Sequence, residues 1–257
     1  MNRRIVSVES LPALGGVLFV QPHCDDSVLS SFGLLASAVS GTAVTVFAGV
    51  PGRHVARRAD GTVPPGTAPR EWMTARRAED IAALARFAVD TVHLDFLELQ
   101  FRDDPDESRL VGDVTSVLRE HCGPSVGVIV APLGIGGNPN HVQVAAAVSE
   151  VSRGTGIPVV WCADYPYAAR PSWPAWVDGN GALPPDWAGR LGAVGADGFE
   201  CTVAVLPAAA QEEKLAAFSV YSSQVEATEK GDERAVSHPG RVRVETYFSS
   251  PGVLRGM

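Results

Sequence analysis

Cysteine is scarce in this chain: four in 257 residues, at Cys24, Cys122, Cys162 and Cys201, with no C-x-x-C pair. That spacing argues against a disulfide framework, and free thiols packed in apolar or mixed segments are expected. Positive charge is also short. Lysine and arginine number 21 against 29 acidic residues, a formal net charge of -8, whereas a nucleic-acid-binding surface normally shows a basic face. The short cluster Arg53, Arg57 and Arg58 reads as a solvated loop, with a local anion contact as its alternative. Long apolar runs are missing. The stretch Gly16 to Val20 is too short for a signal-peptide core or a membrane span, so a cytoplasmic protein is expected. No internal repeat or linker divides the chain, so residues 1–257 are expected to form a single domain.

With 46% hydrophobic and 19% charged residues, the chain can bury a full core. Strand-length apolar runs alternate with helix-period stretches: strand 16–21, helix 26–40, strand 43–48, helix 70–87, strand 91–94, helix 109–121, strand 127–131, helix 141–152 and strand 158–163. GVLFV and VGVIV are apolar on both faces, as parallel strands covered by helices on both sides must be. The pattern implies an α/β fold: a Rossmann-like, doubly wound, mostly parallel sheet with helices on both faces. After residue 163 the rhythm breaks. Residues 164–198 read as an elaborated loop region, followed by CTVAVL, a helix near 208–219 and the strand-like run RVRVETYF. The Gly/Pro segment 49–69 reads as a site-covering or disordered loop.

Two polar clusters each stand just beyond an apolar strand and at the start of a helix. They are Gln21-Pro22-His23-Cys24-Asp25-Asp26 and Gly136-Gly137-Asn138-Pro139-Asn140-His141. With strand order 3-2-1-4-5, counting from the strand at 16–21, they face each other across the crevice where strand order reverses, the usual ligand site of such sheets. His23 and Asp26 can point to one side, and His141 can complete a set of three ligands with an open position, which suits zinc better than magnesium or calcium. Asp25 is left over as a general base for an attacking water. The competing reading makes Asp25 and Asp26 helix caps and His141 a surface histidine.

These residues resemble the PIG-L or LmbE-like zinc-dependent N-deacetylases. The family includes enzymes acting on glucosaminyl-phosphatidylinositol, on N-acetylglucosaminyl precursors of low-molecular-weight thiols and on glycopeptide antibiotics. Its A-H-P-D-D-E motif is similar to Pro22-His23-Cys24-Asp25-Asp26-Ser27, and its H-P-D-H motif to Asn138-Pro139-Asn140-His141. Arg76-Arg77-Ala78-Glu79, Asp164-Tyr165-Pro166-Tyr167 and Lys214 with Tyr221-Ser222-Ser223-Gln224 resemble further segments in family order. The resemblance implies zinc on His23, Asp26 and His141, Asp25 as general base, and a substrate contact from Arg76; Tyr165 and Tyr167 are candidate substrate contacts through their aromatic faces. The alternative for Arg76 is a surface ion pair with Glu79.

The departures matter as much. The family's first motif-two histidine, which acts on the oxyanion or leaving amine, and its supporting aspartate are here Asn138 and Asn140. Neither is titratable, although Asn138 can donate to an oxyanion. Cys24 replaces a proline. Packing is its expected role, with a thiol nucleophile or zinc ligand as alternatives. His54, His93, His121 and His238 lack partner patterns and read as structural or solvent-facing. A dinucleotide loop at Gly134-Ile135-Gly136-Gly137 fails because Pro139 occupies the last glycine position. Trp161, Trp173, Trp176 and Trp187, with Tyr165 and Tyr167, either stack on a sugar or pack on the sheet. The expected activity is zinc-dependent hydrolysis of an N-acyl, expectedly N-acetyl, group on an amino-sugar-like or specialised small metabolite. Its alternatives are a different reaction on the same fold and a zinc-retaining binding or regulatory homologue. Neither nucleic-acid nor membrane partners are expected.

Overall fold

The computed structural model describes all residues except 2, 53–62, 65, 103–106, 171, 197, 232–239 and 256–257. Arg53, Arg57, Arg58, His54 and His238 lie outside the described residues, as does most of the 49–69 loop. The strands are β1 (Arg3–Ser7), β2 (Val17–Gln21), β3 (Gly41–Thr45), β4 (Val89–His93), β5 (Val128–Pro132), β6 (Val159–Cys162), β7 (Glu200–Val205) and β8 (Val244–Ser249). The helices are α1 (Asp26–Ser37), α2 (Pro69–Leu84), α3 (Glu107–Glu120), α4 (Pro139–Thr155), α5 (Pro185–Ala193), α6 (Ala208–Phe218) and α7 (Ser222–Gly231).

One eight-stranded sheet runs β1-β7-β8-β6-β5-β2-β3-β4. Its segment β4-β3-β2-β5-β6 is the 3-2-1-4-5 order expected from the sequence, and it is parallel throughout. Strand order reverses between β2 and β5, so the loops after these two strands open into one crevice. Every residue of β2 and β5 is buried. This agrees with runs apolar on both faces between helical layers, in which α3 packs on α4, α1 on α6 and α2 on α7.

Three features depart from the sequence reading. β1 was not anticipated. It is an edge strand, parallel to β7, whose apolar pair Ile5 and Val6 is too short a run to mark a strand, and Ile5 is half exposed. β8 inserts antiparallel between β6 and β7, a placement set by tertiary packing. Residues 164–198 contain α5 as well as loop, and their tryptophans are structural. Trp173, Trp176 and Trp187 are buried with Trp161, and Trp176 stacks on Phe248 at 6.1 Å.

β8 also explains a break in α1 at Ser31 (φ -143°, ψ 30°). Glu245 on β8 accepts the N–H groups of Phe32 (3.0 Å) and Gly33 (2.8 Å), and is paired with buried Lys214 at 2.7 Å. The carboxylate thus caps the second half of the helix. All four cysteines are free.

Candidate active site

Gln21, the last residue of β2, is buried, and its side chain sets the first loop. Its Oε1 accepts the Ser27 N–H (2.9 Å), while its Nε2 donates to Thr45 (2.7 Å) and Asp80 (3.1 Å). The turn closes when Asp26 Oδ2 accepts the His23 backbone N–H at 2.8 Å; the same oxygen lies 3.2 Å from His23 Nδ1. Asp25 sits at φ 150°, a conformation rare for a residue with a side chain, and makes no side-chain cap bond. Capping therefore does not account for Asp25. Strain of this kind costs on the order of 1–3 kcal/mol and concentrates at functional sites.

Across the crevice, Gly136 and Gly137 take positive φ values of 83° and 73°, which bring the chain into α4. Asn138 is the N-cap, its side-chain oxygen accepting the Asn140 N–H at 3.0 Å, and Pro139 follows at the first helical position. His141 then falls in the first turn, facing inward. Its Nδ1 meets Asp164 Oδ1 at 2.7 Å, and Asp164 Oδ2 accepts the N–H groups of Leu133 (3.1 Å) and Ile135 (2.9 Å). His141 Nε2 is thereby turned toward Asp26 Oδ1, 3.4 Å away. The ligand atoms of His23, Asp26 and His141 all lie within 4.8 Å of one another, close enough to hold one metal ion.

The electrostatics match this packing. Burial alone would raise the Asp26 carboxyl, but His141 and His23 outweigh it and hold it at about 2. Burial alone would lower His141, but Asp26 and Asp164 carry it up to about 9. Burial, reinforced by the adjoining Asp26, pushes Asp25 well above the usual carboxylate range, with Arg76 working against both.

Arg76 is buried, ion-paired to buried Glu98 and 4.0 Å from Asp25 Oδ1. The surface pair with Glu79 does not form; Glu79 instead accepts from Ser222 (2.7 Å) and Ser223 (2.9 Å). Removing either partner of the Arg76–Glu98 pair strands a buried charge, a loss of about 3–5 kcal/mol.

Asn138 Nδ2 donates to the Tyr167 hydroxyl at 3.0 Å, and the Tyr167 ring stands edge-on to His141 with centroids 5.5 Å apart. Tyr165 lies apart from this group. It is buried between Trp173 and the Lys214 ammonium. Asn140 Nδ2 meets His23 Nε2 at 2.9 Å, while its oxygen accepts from Arg102 at 2.7 Å. Cys24 points the other way. Its sulfur lies near Asp80 and His93, burial pushes its thiol well up, and it is absent from the His23, Asp26 and His141 group. Asp80 is already bonded to Gln21, Thr45 (2.7 Å), His93 (2.9 Å) and Tyr221 (2.9 Å); this cluster is a satisfied anchor for the loop. Asp164, Glu98 and Arg102 are neighbours of this group, through His141, Arg76 and Asn140, that were not assigned from sequence. Only Asp164 carried a signal, as part of Asp164-Tyr165-Pro166-Tyr167.

The protein is similar in fold to a teicoplanin deacetylase in its zinc-inhibited form, with 24% identity, a TM-score of 0.68 and coverage of 92% of this chain and 99% of the other. A deacetylase–teicoplanin complex matches at 25% identity and TM-score 0.66, over 91% and 97%. The N,N'-diacetylchitobiose deacetylase of Pyrococcus horikoshii matches at 16% and 0.53, over 93% and 85%. No curated protein matches the sequence. Among the described residues no helix is long and apolar enough to cross a membrane. The PIG-L family model, described as GlcNAc-PI de-N-acetylase, matches residues 18–152, a span that holds both loops of the crevice, and the chain belongs to this family of deacetylase-type amidohydrolases.

Proposed function

We propose that this protein is a zinc-dependent N-deacetylase acting on an amino-sugar-like or specialised small metabolite. The observation that carries this reading is the convergence of His23, Asp26 and His141, with Asp25 beside them. Two imidazoles and one carboxylate are the donor set of a catalytic zinc, and the Asp164 carboxylate behind His141 is the usual outer partner of a zinc-bound histidine. When bound, zinc supplies a Lewis acid that makes water nucleophilic near neutral pH.

The chain's own groups account for the proton movements. Asp25 is not needed as a ligand, and as an uncapped carboxylate beside the ligand set it is placed to act as the general base that takes the proton of the attacking water. Arg76 and Glu98 fix the charge and position of that carboxylate from behind. Asn138, which stands where the family's second motif has its first histidine, supports the developing oxyanion without a titratable proton of its own. Asp25, once protonated, returns its proton to the leaving nitrogen. The deacetylation of sugar-bearing compounds named for the similar structures supports an amino-sugar-like amide as substrate.

The test is acetate release from a panel of N-acetylglucosamine glycosides and other N-acetylated metabolites. Zinc-loaded protein is expected to release acetate, to lose activity on chelation and to regain it with zinc. A zinc-replete protein that releases acid from none of them would favour a binding protein, the reading to which the two asparagines lend support.

A further inference from the structure

We infer that Tyr167 is a catalytic residue of this site: its neutral hydroxyl donates a hydrogen bond to the oxyanion formed at the substrate carbonyl, and Asn138 acts through it as a positioning residue. The inference rests on the N-deacetylase reading above and adds a group that it does not require.

Three observations converge. First, the Asn138 amide has a fixed orientation. Its oxygen is committed to the Asn140 N–H at 3.0 Å as the helix cap, so its nitrogen must face the Tyr167 hydroxyl, also at 3.0 Å. An amide nitrogen only donates, so the phenol oxygen is the acceptor and its own hydrogen is left to point elsewhere. Second, the backbone makes room for this ring. A Cβ at Gly136 would come within 2.5 Å of Tyr167 Cβ and 2.8 Å of Cγ, so only glycine admits the tyrosine at the mouth of the second loop. Third, the ring is held in place on two sides, edge-on to His141 at 5.5 Å and under the Arg170 guanidinium at 4.8 Å. A hydroxyl placed this way, and only partly buried, is a preorganised donor that needs no rearrangement as charge develops.

In the step served, the water oxygen bonds to the carbonyl carbon as Asp25 takes the water proton, and the carbonyl π electrons move onto oxygen. Tyr167 donates its hydrogen bond to that oxyanion without giving up the proton. The C–N bond then breaks, the nitrogen takes the proton from Asp25, and a carboxylic acid and an amine leave.

The test compares wild type, Tyr167→Phe, Asn138→Ala and the double variant, each confirmed for zinc content. It uses two probes, methylphosphonate as a mimic of the tetrahedral species and acetate as a mimic of the planar product, with calorimetric Kd values. Where a panel substrate turns over, kcat and KM are added. Tyr167→Phe is expected to weaken methylphosphonate by roughly 10²-fold and lower kcat by ~10²–10³-fold with KM little changed, the scale of losing one oxyanion donor. Acetate affinity and zinc content are expected to stay near wild type. Asn138→Ala is expected to show a smaller loss, and the double variant to match Tyr167→Phe alone. Equal weakening of both probes, wild-type affinity for methylphosphonate in Tyr167→Phe, or additive losses in the double variant would overturn the inference. Failure of wild type to bind zinc would instead count against the N-deacetylase reading itself.

Discussion

Asp164 grips His141 through one carboxylate oxygen, at 2.7 Å from Nδ1, while its other oxygen is anchored by two backbone N–H groups of the loop after β5. The tautomer of His141 is thereby set, and Nε2 is the nitrogen offered to a metal. Asp164→Asn presents an amide in place of that acceptor. It is expected to lower zinc affinity by about 10–100-fold, the usual effect of losing such a partner, with the circular-dichroism spectrum retained. Chelator competition measures this, and unchanged affinity would show that Asp164 does not tune the ligand.

Asp25 holds a positive-φ conformation without capping the helix. Asp25→Asn keeps the size of the side chain and removes the base. Zinc content is expected to remain, and turnover to fall at least ~100-fold. A zinc-loaded variant with wild-type kcat would take Asp25 out of the mechanism.

Asn140 reverses the hydrogen bond that a metal-binding histidine normally makes. Its oxygen is held by the donor-only Arg102, so its N–H points at His23 Nε2, whereas such a histidine ordinarily donates that N–H to an acceptor. Asn140→Asp restores an acceptor and keeps Arg102 as its counter-ion. Zinc affinity is expected to rise by about 10-fold or more, measured by the same competition. Equal or weaker binding would contradict this account of the asparagine.

Stability without metal should depend on pH through His141. Its pKa in the fold is raised to about 9 from 6.5, so the folded state binds the proton more tightly than the unfolded chain. That stabilisation is complete below pH 6.5 and is lost as pH rises through about 9. Tm of chelator-treated protein is expected to fall across this window, and the fall to shrink in His141→Gln. The same slope in both proteins would assign the titration to another group.

Much of this arrangement was legible in the sequence because it depends on local pattern. Apolar runs marked β2 through β6, the doubly wound fold class they imply suggested the order in which those strands pair, and the turn residues around His23 and His141 marked the crevice. What was hidden depends on distant pairing. β1 is an edge strand whose partner, β7, lies almost 200 residues away, and β8 enters the sheet out of chain order. Glu98 reaches Arg76, and Arg102 reaches Asn140, from a loop without motif spacing. The tryptophans of residues 161–187 were visible as a group, but only packing shows that they face the core.

The central claim is a single zinc on His23, Asp26 and His141, and elemental analysis of purified protein tests it most directly. Wild type is expected to carry about one zinc per chain, and His141→Ala far less after the same dialysis. Wild type without a transition metal, or His141→Ala with an undiminished zinc content, would contradict it.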